Sequence, residues 1–225
     1  MGALVGAILL AGTVSGAKAQ RQSGRVVSDA AYTSPYDAFM KMNRFREEFA
    51  RDESAADYWG FMESRLGNQA GRILVKRPAK GFSDDAFRGW LRFIRTNGAP
   101  AGVGNCTACH RVPSFTDEKK HQIGTANTPV TTPPLRDLGN RKSFFQDGSA
   151  RTLEAAIASH AESGRLARDG KRADVDSEIA KIALTDDEVR QIAVFIRALG
   201  SVDRNRFREY LVDVVVQPVE IDFEN

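Results

Sequence analysis

Five consecutive residues, Cys106-Thr107-Ala108-Cys109-His110, constrain this chain more than any other stretch of it. Two cysteines two apart, with a histidine directly after the second, have the spacing of covalent haem attachment. Each thiol adds across a vinyl group to make a thioether, and the imidazole is held where it binds the iron from the proximal side. The competing use of such a cluster is structural zinc, which wants four Cys or His ligands at paired spacings. Only His121 and His160 remain to complete one, and there is no second cysteine pair. The motif predicts a single covalently bound haem c, with Cys106, Cys109 and His110 as its anchors.

The chain has 225 residues, enough for one domain with a real core. An apolar run from Leu4 to Leu10, followed by Ala17-Lys18-Ala19, fits a secretory signal cleaved after Ala19, although no basic residue precedes the run. The alternative, an uncleaved anchor, has an apolar run short for spanning a bilayer. Both cysteines belong to the haem motif, so none is left for a disulfide framework. Periplasm is the expected compartment, where bacterial haem attachment of this kind takes place. With 32 basic and 29 acidic residues the net charge is only +3, which argues against nucleic acid as a partner. Arg165, Arg168, Lys171 and Arg172 crowd one polar stretch, readable as a solvated loop or as a surface steering an acidic redox partner.

Hydrophobic spacing places the helices. Pro35 to Gly67 reads as helical, with Phe39, Met42, Phe45 and Phe49 three or four apart. A stronger helix runs from Ser83 to about Asn97: Ser83 caps it, Asp84 and Asp85 complement its positive end, Gly98 offers a stop, and Phe87, Trp90, Leu91 and Ile94 form one stripe. Thr185 and Glu188 make a capping box for a helix to Leu199, whose apolar face is Val189, Ile192, Ala193, Ile196 and Leu199. This helix is expected to cross the one bearing Trp90. The loop from Val112 to Ala150 is too long for a compact domain unless it serves a function such as wrapping a haem edge. Thr152 then caps a helix with Leu153, Ala156, Ile157 and His160 at positions i, i+3, i+4 and i+7.

His160 therefore points to an apolar side, where a histidine is either a satisfied core residue or a ligand. Iron has a distal side to fill, and all four methionines, Met1, Met40, Met42 and Met62, precede the motif. His160 is ranked first as sixth ligand. His121 is the rival, better suited to a hydrogen bond with a propionate or a backbone carbonyl. Met40, Met42 and Met62 stay open as further candidates.

The order of short motifs carries a resemblance. Cys106 to Phe115-Thr116-Asp117, then His121-Gln122-Ile123-Gly124, Thr132-Pro133-Pro134-Leu135-Arg136-Asp137-Leu138, Phe144-Phe145-Gln146-Asp147-Gly148, Thr152-Leu153-Glu154, Leu184-Thr185 and Phe195-Ile196-Arg197-Ala198-Leu199 resemble the C-terminal haem domain of the bacterial di-haem cytochrome c peroxidase and MauG superfamily. The likeness covers about residues 83 to 201, and Ser34-Pro35-Tyr36-Asp37-Ala38-Phe39 echoes it further upstream. In that family the residue seven after the leucine of the Thr-Leu-Glu segment can supply the distal ligand, usually methionine. Here that residue is His160, which implies a bis-histidine iron and a potential below that of the peroxidases' electron-accepting haem. The peroxidases add a second haem domain, and only one attachment motif occurs here; Gln146 also stands where the family commonly has histidine.

The resemblance implies an all-α, cytochrome c-like helical haem domain with long loops wrapping the haem and a short extended C-terminal tail. The expected divisions are a signal peptide over 1–19, a lead-in and helical extension over 20–82, the haem domain over 83–201 and the tail over 202–225. The leading function is periplasmic electron transfer between redox partner proteins by a six-coordinate mono-haem cytochrome. A subunit or half of a peroxidase-like or MauG-like haem enzyme is the alternative, as is a haem subunit of a membrane-associated complex. The tail bears on the last: Val212, Val214 and Val216 alternate before Pro218, and Val219, Ile221 and Phe223 alternate in the opposite phase, as in a bulged strand that pairs within the chain or with a partner's sheet.

Overall fold

A computed structural model describes residues 32–50, 52–67, 72–97 and 102–220. The expected signal segment, the lead-in as far as residue 31, the Gly98 stop and the tail residues Ile221 and Phe223 lie outside them. The described elements run α1 (Pro35–Asn43), α2 (Ala55–Gly67), β1 (Arg72–Pro78), α3 (Asp84–Ile94), β2 (Lys120–His121), β3 (Val130–Thr131), α4 (Leu153–Arg168), α5 (Ser177–Ala180), α6 (Asp186–Arg197), α7 (Arg204–Val212) and β4 (Val214–Glu220). Short 3-10 turns cover Cys106–Ala108 and Leu138–Asn140. The fold is mainly α.

The pair α3 and α6 forms the centre. Ser83 caps α3 by accepting from the Ala86 N–H, and Thr185 caps α6 in a complete capping box with Glu188. Their stripes meet with Phe87, Trp90, Ile192, Phe195 and Leu199 fully buried. The backbones approach most closely at Gly89, where a Cβ would fall 1.9 Å from the Gln191 carbonyl oxygen. Only a residue without a side chain fits there.

The stretch expected to be helical over residues 35 to 67 forms two helices, α1 and α2, joined by a non-helical segment. Arg44 takes a left-handed conformation, φ 53°, and closes α1; Asn43 then donates to the Lys76 carbonyl at 2.7 Å, turning the chain toward β1. Phe45 and Phe49 thus leave the helical stripe and pack as loop residues, Phe45 stacked on Trp90 and Phe49 on Tyr58. Residues from Tyr32 onward form one compact unit, so α1 and α2 belong with the helices that follow. Phe39 stacks on Phe82 at 4.4 Å and Tyr36 meets the edges of Phe195 and Phe115, so α1 shares the aromatic core of α3 and α6.

The tail holds a strand that pairs within the chain, without the expected bulge. β4 pairs antiparallel with β1 in unbroken register, Pro78 opposite Val214 and Leu74 opposite Pro218, so residues 214–220 contain no bulge. Pro218 is tolerated because a two-stranded ribbon leaves one side of each strand unpaired. Val75 and Arg77 face the core, whereas Leu74 and Val216 face outward. The long loop over 112–150 holds the small β2–β3 pair, with Lys120 opposite Thr131 and His121 opposite Val130. Among the described residues no helix is long and apolar enough to cross a membrane.

Candidate haem centre

The attachment motif begins where the chain leaves α3. Backbone bonds from Gly104 and Asn105 to the Arg92 and Arg95 carbonyls, at 2.9 Å each, fasten this segment to the helix end. Asn105 takes a left-handed φ of 49° and reaches across to α5, donating to the Glu178 carbonyl and carboxylate at 2.9 Å each. The chain then winds into the 3-10 turn, with the Cys109 and His110 amides both bonded to the Cys106 carbonyl. One turn therefore carries both thiols and the imidazole. Burial pushes the Cys106 thiol up to about 12, with Cys109 adding to it. It does the same to Cys109, also to about 12, helped by Asp117, Asp176 and Glu178. Both sulfurs are neutral, partly buried and unpaired with each other.

His110 donates from Nδ1 to the carbonyl of Phe115 at 3.0 Å. A carbonyl only accepts, so this bond fixes the proton on Nδ1 and leaves the Nε2 lone pair for a metal. Burial pulls the His110 imidazole down to about 4, partly offset by the Phe115 carbonyl, and the neighbouring His160 lowers it further. His160 repeats the arrangement: its Nδ1 donates to the Ala156 carbonyl one turn back along α4, at 2.8 Å. Burial lowers its pKa too, against the opposing effect of that carbonyl. Phe93 lies beside His110 and Phe145 beside His160, with centroids at 6.5 and 5.6 Å. Phe115 and Phe145 both hold left-handed backbone, φ 61° and 64°, a strained conformation for a bulky residue that concentrates at functional sites.

His121, Met40 and Met62 are occupied elsewhere, and Met42 lies half-buried on α1. His121 is gripped by two carboxylates, Nδ1 on Asp176 at 2.6 Å and Nε2 on Asp117 at 2.9 Å. The partner predicted for it, a propionate or backbone carbonyl, is thus replaced by an aspartate pair. Burial alone would lower its pKa, but the bonds to Asp117 and Asp176 outweigh it and raise the net value. Met40 and Met62 are fully buried in the aromatic core. The basic stretch is also largely spoken for. Arg165 pairs with Glu162 and Asp169, Arg168 donates to the Ala180 and Ile182 carbonyls, and Arg172 donates to the Gly124 carbonyl and Ser163. Lys171 projects, 67% exposed, toward Asp169.

The donor set suits a haem. Two imidazoles present the same nitrogen, two thiols share one turn, and buried polar atoms without a protein partner gather along the motif at Asn105 Oδ1, Thr107 Oγ1 and Arg111 Nε. Such orphans call for an explanation, and a bound group with polar edges supplies one. Sequence reasoning missed Phe115 and Phe145 as supporting residues, since a carbonyl acceptor leaves no mark in residue type. It also missed Asp176, which reaches the site only through the chain reversal after α4.

A cytochrome c family model matches residues 97–200. The methylamine utilization protein MauG of Methylophilus methylotrophus is 32% identical over 142 residues, covering 56% of this chain and 39% of that protein. MauG of Methylorubrum extorquens is 29% identical over 133 residues, covering 51% of this chain and 34% of its own length. The chain thus spans between a third and two fifths of the length of these curated relatives. No solved structure matches. A covalently bound haem c follows from the family together with the turn that carries Cys106, Cys109 and His110, and from it a haem-based redox role. Residues 97–200 thus match the cytochrome c family, and the chain is similar to the MauG proteins over about half of its own length.

Proposed function

We propose that this protein is an exported mono-haem cytochrome that transfers single electrons in the periplasm between partner proteins, its iron held by His110 and His160. The observation that carries the reading is the matched pair of imidazole tautomers: each histidine commits Nδ1 to a backbone carbonyl, so that the lone pair able to bind a metal lies on Nε2. A carbonyl acceptor also raises the basicity of the ring that donates to it. Haem c, when bound, supplies a one-electron ferric/ferrous couple. The chain supplies the rest. Cys106 and Cys109 would hold the ring through thioethers, and His160, on the well-capped helix α4, would offer the second imidazole. Two imidazoles serve both oxidation states with little rearrangement, which suits transfer and leaves no vacant position for substrate. The exported location is supported by the Leu4–Leu10 run and the Ala17-Lys18-Ala19 site, and by an attachment chemistry performed outside the cytoplasm.

Visible, near-infrared and magnetic spectroscopy of the holoprotein tests this directly. A six-coordinate low-spin iron with a bis-imidazole signature is expected, with the mass of one haem. A high-spin or His/Met signature overturns the ligand assignment.

The similarity to MauG favours a second reading, in which the domain is the electron-accepting part of a peroxidase-like oxidoreductase working with another haem domain. A resting enzyme of that kind reacts with peroxide, alone or with its partner. An unchanged spectrum under excess peroxide in both settings rejects it.

A further inference from the structure

Arg136, in the loop between β3 and α4, touches three parts of the chain at once. Its Nε donates to the Pro113 carbonyl at 2.7 Å, and its terminal nitrogens donate to the two carboxylate oxygens of Asp37 at 3.0 and 2.8 Å. Its guanidinium lies over the rings of Tyr32 and Phe115, at 3.7 and 5.3 Å from their centroids. Both side chains of the pair are nearly buried, 7% and 8% exposed. Asp37 also accepts from the Ser34 amide and hydroxyl at 2.7 and 2.6 Å, so one carboxylate serves both the start of α1 and the guanidinium.

What Arg136 holds is the turn that orients His110. Phe115 offers its carbonyl to His110 only in its left-handed conformation, and that conformation survives where the surroundings enforce it. The enforcing contacts are few and identifiable. Arg136 fixes Pro113 on one side and covers the Phe115 ring, the Thr116 amide closes the turn onto the Arg111 carbonyl at 3.1 Å, and Tyr36 of α1 packs its ring at 5.5 Å from that of Phe115. Asp37 belongs to α1, outside the stretch that matches the cytochrome c family.

We infer that Arg136 and Asp37 are positioning residues for the proximal ligand: they hold residues 113–115 so that the Phe115 carbonyl stays on His110 Nδ1, and thereby tune how strongly the imidazole donates to iron. The inference rests on His110 as an iron ligand and is indifferent to the distal one. A firm Nδ1–H to carbonyl bond strengthens donation, which favours the ferric state and keeps the potential low. Loosening the turn raises the potential and exposes the Nδ1 proton to solvent.

Three variants of the full-length holoprotein decide it. Asp37→Asn keeps side-chain size and a capping oxygen but removes the charge, Arg136→Lys removes the fork, and Thr33→Val loosens the entry to α1 by deleting the 2.6 Å bond to the Val202 carbonyl without touching Arg136. The first two are expected to raise the midpoint potential and to speed exchange of the His110 Nδ1 proton, read by NMR, at least tenfold. Thr33→Val should lower thermal stability and leave both quantities at wild-type values. If Asp37→Asn and Arg136→Lys melt earlier but keep the wild-type potential and exchange rate, the pair is a structural staple and the inference falls. Should Arg136→Lys yield no holoprotein, Asp37→Asn decides alone by the same readouts. A wrong bis-histidine assignment appears in the wild-type spectrum, whereas an error here appears only in the comparison of variants.

Discussion

Gly89 on α3 and Gln191 on α6 approach so closely that a methyl group on the first would sit 1.9 Å from the carbonyl oxygen of the second. The crossing they define sets the depth to which Trp90 and Phe195 are buried, and it places the end of α3 from which the attachment turn departs. Gly89→Ala meets rigid backbone and not a flexible side chain, so the helices must separate. We expect a loss of about 3 kcal/mol, at the upper end for overpacking, measured by chemical denaturation of the holoprotein. A wild-type midpoint would contradict the packing described.

His160→Met tests the distal ligand. With iron on His160 Nε2, the variant should remain low-spin while its potential rises, because a thioether ligand favours the ferrous state. His160→Ala should admit exogenous imidazole or cyanide at rates the wild type does not show. Spectra and potentials that ignore both changes would remove His160 from the iron.

The clasp made by Asp117, His121 and Asp176 has a definite pH signature. The folded pKa of His121 is raised, so its contribution to stability is complete below its unfolded value of about 6.5 and fades as pH rises through the folded value. His121→Gln should therefore be clearly less stable than wild type at mildly acidic pH, with the gap narrowing above neutrality. A gap that grows with pH would mean the imidazole sits there neutral.

Glu188 does more than complete a cap. Its carboxylate accepts from the Thr185 amide at 2.8 Å and the Gly102 amide at 3.2 Å and pairs with Arg92 at 3.2 Å, joining α6 to the approach of the attachment turn. Thr185→Ala should cost about 1 kcal/mol, the ordinary worth of an N-cap. Glu188→Ala should cost about 2–3 kcal/mol because it strands a buried amide as well. Equal losses in thermal or denaturant unfolding would show that the links to Gly102 and Arg92 contribute nothing.

Much of the centre was legible in the sequence for local reasons. The Cys106 to His110 spacing, the caps at Ser83, Thr152 and Thr185, and the stripe that turns His160 inward are all written within one or two helical turns. The break at Arg44 was not, because Phe45 and Phe49 keep helical spacing while packing as loop residues on Trp90 and Tyr58. The partners of His121 were equally hidden, since Asp176 lies 55 residues away and is brought in by the reversal after α4. In the basic stretch, Arg165 finds Glu162 and Asp169 within one helical turn, whereas Arg168 and Arg172 reach the carbonyls of Ala180, Ile182 and Gly124, partners that sequence order does not reveal.

The chain's two flanks fasten each other. Thr33 exchanges hydrogen bonds with Val202, and β1 is zipped to β4, so the segment before α3 is held by the segment after α6. A fragment trimmed to residues 83–201 would keep its cysteines and lose this belt, baring Trp90 and Phe87 to water. Such a trimmed piece should be sticky and slow to mature. Any recombinant design meant to retain the cofactor does better to carry both arms.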